Sequence, residues 1–322
     1  MVIIQVVSRI EKLLSLSVAT SSVKVYKRAW VLFKEAMVEM KIPFNGSIDL
    51  PISSSMVIMF IGYLSVIGLS SSTITSYTCA LGYIHKLMNA PDPTSKFCVQ
   101  KVLAATNKLN KSHDSRLPIT IVILQRLCES LFHTVPKLYL RQLFRTMFIV
   151  AFFGLMRLAE ITQNKDGIVS IMIDQVKFTS SAIIITISQF KHNVSLRPLD
   201  IVLPAQQDLS ICPVFQMRKY LNLRGLSAGP LFRYADGHPV SRNYFCKNLT
   251  SALRFCGLQT SLYKSHSFRI GGATFYAQLG MTDNQIRIMG RWNSNAFVKY
   301  IRNQRVGVFL QCSTTPLAVS WS

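Results

Sequence analysis

The hydrophobic period of this chain is helical almost throughout and turns strand-like in one short stretch, which restricts it to a mainly α fold with a small sheet. Tyr26, Trp30, Phe33 and Met37 repeat at three- and four-residue steps in a segment that Ser21-Ser22 would cap and that runs to Glu39. Further helices fit Ser53–Ile67, Ser72–Met88 and Cys98–Leu109. The second of these places Ile74, Tyr77, Leu81 and Ile84 on one face, and Asn89-Ala-Pro-Asp-Pro then breaks the pattern. No strand-like alternation occurs before residue 112, so the first domain reads as a four-helix bundle.

The polar, basic stretch Lys108–Pro118 marks a linker, dividing the chain into residues 1–112 and 113–322. Two helices, Thr120–Phe132 and Val135–Phe153, open the second domain. Ser170–Phe178 and Ala182–Phe190 are rich in Ile and Val and are separated by Thr-Ser-Ser, which predicts a hairpin; Pro198–Leu203 adds a third strand. Beyond Pro204 the helical period returns, broken at Gly225–Pro230, Asp236–Pro239, Gly280 and Gly290.

Charge narrows the partner. The 322 residues carry 36 Lys+Arg against 14 Asp+Glu, a formal net charge of +22, in a chain that is 49% hydrophobic. Such a composition excludes wholesale disorder and points to a polyanion, nucleic acid before an anionic membrane. Residues 1–112 hold 12 basic and 5 acidic side chains and residues 113–322 hold 24 and 9, so both domains are suited to the same polyanion. The longest apolar runs, Met56–Leu69 and Met147–Met156, are too short to span a bilayer and read as buried helices. The N-terminal MVIIQVVSRIEK lacks the basic start and cleavage site of a signal peptide. Seven cysteines form no CxxC pair, which suits buried free thiols in a reducing, intracellular compartment.

There is no P-loop, no GxGxxG after a strand, no HExxH, no GxSxG, and no clustered acidic pair fit to hold Mg²⁺. Phosphodiester chemistry here would rest on cationic side chains. Three segments offer them. His266-Ser-Phe-Arg269 puts a proton-transfer group and a guanidinium on one helical face. Gly290-Arg-Trp292-Asn-Ser-Asn-Ala-Phe-Val-Lys-Tyr300-Ile-Arg302 sets a tyrosine in a basic helix. Phe152-Phe-Gly-Leu-Met-Arg157-Leu-Ala-Glu160-Ile sinks an Arg–Glu pair into apolar surroundings, where charges are paired or used. Singly, each also reads as ordinary structure: a solvated helix face, a half-buried aromatic, a structural ion pair.

In this order, with a basic hairpin between them, the segments resemble the tyrosine recombinase (phage integrase-like) family over about Leu117 to Arg305. GLMRLAEI, HSFRIGGATF and GRWNSNAFVKYIR are closest to recombinases of eukaryotic mobile elements of the Crypton and DIRS kind. The step of eight residues from Trp292 to Tyr300 suits that branch. The resemblance implies a helical core-binding (SAM-like) bundle followed by a mostly α catalytic domain with a small antiparallel sheet, the DNA breaking-rejoining fold. By the same resemblance Arg157 and Arg269 clamp the phosphate, Glu160 braces the arginines, and Lys191, at the end of the second strand, protonates the leaving 5′ oxygen. His266 serves as base, Trp292 donates its indole N–H, and Tyr300 is the nucleophile.

It further implies a site-specific recombinase or integrase that cuts and rejoins double-stranded DNA through a 3′-phosphotyrosyl bond, without metal, cofactor or ATP. The two domains would clamp the duplex, and protomers would assemble as a synaptic tetramer on DNA, in the nucleus if the host is eukaryotic and in the cytoplasm otherwise. Two rival outcomes share most of these residues: a type IB topoisomerase-like nicking-closing enzyme, and a catalytically retired, mobile-element-derived DNA-binding protein. His85, His113, His133, His192 and His238 lie in no motif and read as surface or capping residues.

Overall fold

Ala29, Phe33, Ala36 and Met37 recur at the spacing of one helical face, and in a computed structural model they are the buried side of α1 (Thr20–Glu39). The structure describes residues 17–43, 50–109, 115–163, 171–188 and 197–301, with residues 5, 9, 12 and 13. It divides into two compact units, residues 1–114 and 115–322. In the first, α1 packs with α2 (Ser54–Val66), α3 (Ser71–Leu87) and α4 (Phe97–Leu109), and a 3-10 turn at Pro93–Ser95 follows the Asn89–Pro93 break. Val57, Phe60, Ile61 and Leu64 of α2, Ile74 and Leu81 of α3, and Val99 and Leu103 of α4 close one core with α1.

Caps set most starts. The hydroxyls of Ser53 and Ser70 accept from the N–H groups of Met56 and Thr73, at 3.2 and 3.3 Å. At α1 the expected Ser21-Ser22 cap is displaced. The helix starts at Thr20, its N-cap is Ala19, and no side chain caps it. His85 departs from expectation more sharply. It is fully buried, its Nδ1–H donating to Leu81 O (2.7 Å) and its Nε2 accepting the Ile52 N–H (3.1 Å), so a neutral imidazole ties α3 to the residue following Pro51. His133 and His238 are exposed; His113 and His192 lie outside the described residues.

The second unit is built around α6 (Leu138–Phe153), in which every residue from Leu143 to Phe153 except Arg145 is buried. A helix apolar on all sides needs partners on all sides. Those partners include α5 (Ile121–Thr134), α8 (Pro213–Arg224) and α10 (His266–Gln278). Each buried Phe of α6 contributes about 1.5–3 kcal/mol of transfer free energy. Short α7 (Leu158–Ile161), α9 (Arg242–Phe255), α11 (Asp283–Met289) and a 3-10 turn at Asn295–Tyr300 complete the helical part.

The expected sheet is present, antiparallel in the order β1 (Val176–Phe178), β2 (Ala182–Ile187), β3 (Leu199–Pro204). Register pairs Ile185 with Val176 on one side and Ile201 on the other, and Ile183, Ile185, Ile187, Ile201 and Leu203 face inward. The first strand is shorter than expected. Residues Ile173–Gln175 form a 3-10 turn whose Gln175 side chain accepts the Met172 N–H, which removes that segment from the ladder. The described cysteines carry free thiols: Cys128 and Cys212 are buried and Cys246 and Cys256 partly so, whereas Cys79 and Cys98 are exposed, against the expectation of burial.

Candidate active site

Three chain turns converge on one cleft of about 570 Å³, lined among others by Arg157, Arg242, His266, Arg269, Arg291, Trp292 and Tyr300. The first turn follows α6. The backbone passes through Gly154 and takes a left-handed φ of +46° at Leu155, and this reversal delivers Arg157 as the N-cap of α7. One turn on, Glu160 folds back. Its Oε2 accepts the Arg157 N–H (2.8 Å) and its Oε1 the Arg157 Nη1–H (3.0 Å).

The second wall is α10, which begins at His266. Gly271 and Gly272 let it lie directly on the main chain: a Cβ at Gly271 would come within 1.8 Å of Ile119 O, and one at Gly272 within 2.2 Å of Phe152 O. That contact seats His266 and Arg269 at the cleft, facing the segment that follows α6. Arg269 is almost wholly buried, its Nη1 donating to Leu155 O and its Nη2 to Gly290 O.

The third turn ends α11. Gly290 leaves room for the indole of Trp292, since a Cβ there would fall 1.6 Å from its ring. Arg291 takes a φ of +57° and turns inward; Trp292 lies over Arg269, ring centroid 3.9 Å from Cζ. The chain then winds through the 3-10 turn to Tyr300, which is half-buried. The Tyr300 ring lies 5.2 Å from Trp292 and 5.0 Å from His266, centroid to centroid, and its carbonyl accepts from Thr274 Oγ1 (3.2 Å). His266, Tyr300, Trp292 and Arg269 thus form a continuous row of contacts, the rings tilted to one another and the guanidinium under the indole.

Glu160 is the electrostatic anchor beneath it. Burial pushes its carboxyl up, but Arg291, the Arg157 N–H, the Arg157 guanidinium and Arg269 together outweigh that and hold it below the usual carboxylate value. For Arg269 burial comes first, with the like charges of Arg157 and Arg291 next, and both press its pKa down. A pocket this rich in positive charge, with no acid among its described lining residues and Glu160 already paired behind it, is suited to receive an anion.

Of the residues singled out from sequence, Arg157, His266, Arg269, Trp292 and Tyr300 meet in this cleft, and Glu160 lies directly behind Arg157. Lys191 lies outside the described residues. Two members escaped the sequence reading. Arg291 neighbours Trp292 in the motif, but nothing in the motif aims it at Glu160. Arg242 sits at the start of α9, brought in by a parallel bridge between Ser241 and Gln163. Among the described residues, no group of three or more His, Cys, Asp or Glu side chains is placed to hold a metal ion, and no helix is long and apolar enough to cross a membrane.

No protein-family model matches the sequence, and no curated protein matches it. Solved structures do. The XerH site-specific recombinase bound to palindromic difH substrate, in a post-cleavage complex, is 20% identical with a TM-score of 0.63, over 86% of this chain and 75% of that one. The Tn1549 transposon integrase in complex with transposon right-end DNA is 13% identical with a TM-score of 0.61, over 88% and 90%. A lambda integrase dimer bound to a COC' core site is 13% identical with a TM-score of 0.60, over 96% and 79%. Mostly helical, with one small antiparallel sheet, the chain has the fold of the tyrosine recombinases and integrases.

Proposed function

We propose that the protein is a site-specific DNA strand transferase that breaks and rejoins DNA through Tyr300. The observation that carries this reading is the row of His266, Tyr300, Trp292 and Arg269 in one cationic cleft with Arg157, assembled from segments that span residues 157–300. Its likeness in fold to recombinases and integrases solved on DNA supports the choice of substrate.

The Tyr300 hydroxyl attacks a backbone phosphorus, passing its proton to His266, as the bond to the 5′ oxygen breaks. A tyrosine needs such a base beside it to act near neutral pH. The 5′ oxygen takes a proton and leaves as a hydroxyl, while the phosphate stays on Tyr300 as a 3′-phosphotyrosine. Attack by a 5′-hydroxyl reverses the step, so rejoining needs no external energy. Arg157 and Arg269 are aimed by Glu160 and by main-chain carbonyls and offer charge to the non-bridging oxygens. The Trp292 indole orders Tyr300 against Arg269, and Lys191 is assigned the leaving-group proton.

The N-terminal bundle, which carries a net positive charge, adds phosphate contacts, and protomers assemble on DNA as a homo-oligomer. GRWNSNAFVKYIR, with a step of eight residues from Trp292 to Tyr300, supports kinship with recombinases of eukaryotic mobile elements, which would make the work nuclear. The test is trapping on a nicked suicide substrate drawn from a random duplex library, comparing the wild type with Tyr300→Phe. A denaturant-resistant protein–DNA adduct that disappears in the variant is expected. Salt-sensitive binding with no adduct would overturn the reading in favour of a non-catalytic DNA-binding protein.

A further inference from the structure

Three of the four arginines in the cleft are already committed. Arg157 holds Glu160 and donates to Arg291 O (3.1 Å), Arg291 holds Glu160 and three main-chain carbonyls, and Arg269 spends Nη1 and Nη2 on carbonyls beneath Trp292. Arg242 differs. It is exposed, and among the described residues no carboxylate and no hydrogen-bond acceptor holds its guanidinium.

Its position is nevertheless fixed. The Gln163 N–H donates to Val240 O (2.9 Å), a bridge that fastens the start of α9 to the segment carrying Arg157 and Glu160. The Ser241 hydroxyl caps α9 through the Tyr244 N–H (3.2 Å), and the first turn of this 14-residue helix contains no acid. The end of the helix therefore adds its own partial positive charge to that of Arg242. A guanidinium fork mounted on a fixed stretch of backbone, with no anion among the described residues to meet, is suited to bidentate contact with phosphate oxygens.

Resting on the proposed strand-transfer reading, we infer that Arg242 grips a phosphate of the cleaved strand that flanks the one Tyr300 attacks. The committed arginines and the aromatic row occupy the floor, whereas Arg242 comes from a separate segment on the exposed wall. A cleft of about 570 Å³ has room for more than one phosphate. Arg242 would thus set the strand in register with Tyr300, without touching the reacting phosphorus.

The experiment scans single methylphosphonates, which remove one phosphate charge at a time, along the duplex that the wild type selects from a random library. Binding is read by anisotropy with Tyr300→Phe and with Tyr300→Phe/Arg242→Ala; adduct formation is read with the wild type and Arg242→Ala. The expected result is that Arg242→Ala weakens binding about tenfold and lowers the salt slope by about one. A methylphosphonate at one flanking phosphate should cost the Arg242 protein the same tenfold and the Ala protein nothing more. Arg242→Lys should recover part of the loss. Equal losses in both proteins at every flanking position, or no effect of Arg242→Ala, would overturn the assignment. A preserved flanking-phosphate signature with no wild-type adduct would instead remove the strand-transfer reading and leave Arg242 as a phosphate contact. Unchanged thermal melting of Arg242→Ala confirms that the exposed substitution leaves the fold intact.

Discussion

Arg291 Nη2 lies 2.7 Å from Glu160 Oε2, an ion pair between two buried side chains 131 residues apart. It joins the turn after α11 to the turn after α6 and so holds Trp292 and Arg157 in one site. Removing one member of a buried pair strands the other charge without compensation. Arg291→Ala should cost about 3–5 kcal/mol in urea unfolding. The double variant Arg291→Met/Glu160→Gln should recover part of that and not all, because Arg157 loses its carboxylate partner as well. Equal stability of Arg291→Ala and wild type would show that the pair adds nothing.

The same carboxylate predicts an acid-sensitive fold. Glu160 titrates below its ordinary value of 4.5 in the folded chain, so its ionised form adds stability at any pH above that ordinary value. This contribution is lost as pH falls through the lower, folded-state value. Melting curves of the wild type and Glu160→Gln should therefore lie furthest apart near neutrality and draw together in acid. A gap that stays constant with pH would contradict the assignment.

Gly271 and Gly62 form a matched pair. A Cβ at Gly271 has nowhere to go but the Ile119 carbonyl, and Gly271→Ala should cost about 3 kcal/mol or more. Gly62, exposed in mid-helix on α2, meets nothing within 4 Å. Gly62→Ala should gain about 0.5–1 kcal/mol from helix propensity alone. Chemical denaturation of both variants checks the pair, and a tolerated Gly271→Ala would mean that α10 is not seated as described.

Thiol chemistry offers a further test without mutation. Burial pushes the Cys128 thiol up to about 12, so hardly any of it is thiolate at neutral pH, and solvent does not reach it. Iodoacetamide should label Cys79 and Cys98 in the native protein and Cys128 only after denaturation, as read by peptide mass spectrometry. Native labelling of Cys128 would mean that the α5–α6 core opens readily.

Local patterns announce local structure, and this chain shows where they stop. Helices α1 and α3 were legible because their apolar residues repeat at helical steps, and α2 and α6 because apolar runs of that length read as buried helices. Among the site residues, Arg157, His266, Arg269, Trp292 and Tyr300 stand in motifs whose order could be read along the chain. Arg291 could not be placed, since its partner is 131 residues away and a left-handed φ at a non-glycine leaves no mark in a sequence. Arg242 depends likewise on a bridge to Gln163. His85 lies in no motif and so reads as a surface or capping residue, yet its place is decided by an N–H of Ile52. The first strand was overestimated because the Ile-rich stretch before Val176 reads as β, whereas the Gln175 side chain ties it into a tight turn.

Arg269 is held by two main-chain carbonyls, those of Leu155 and Gly290, and among the described residues by no side chain's oxygen. A guanidinium gripped in this way is indifferent to the identity of the residues that grip it, provided the backbone keeps its path. The site can therefore be inherited as a trajectory of the chain while the residues around it drift. What selection has to preserve at Leu155 is curvature, whereas Gly290 is held to glycine by the Trp292 indole packed against it.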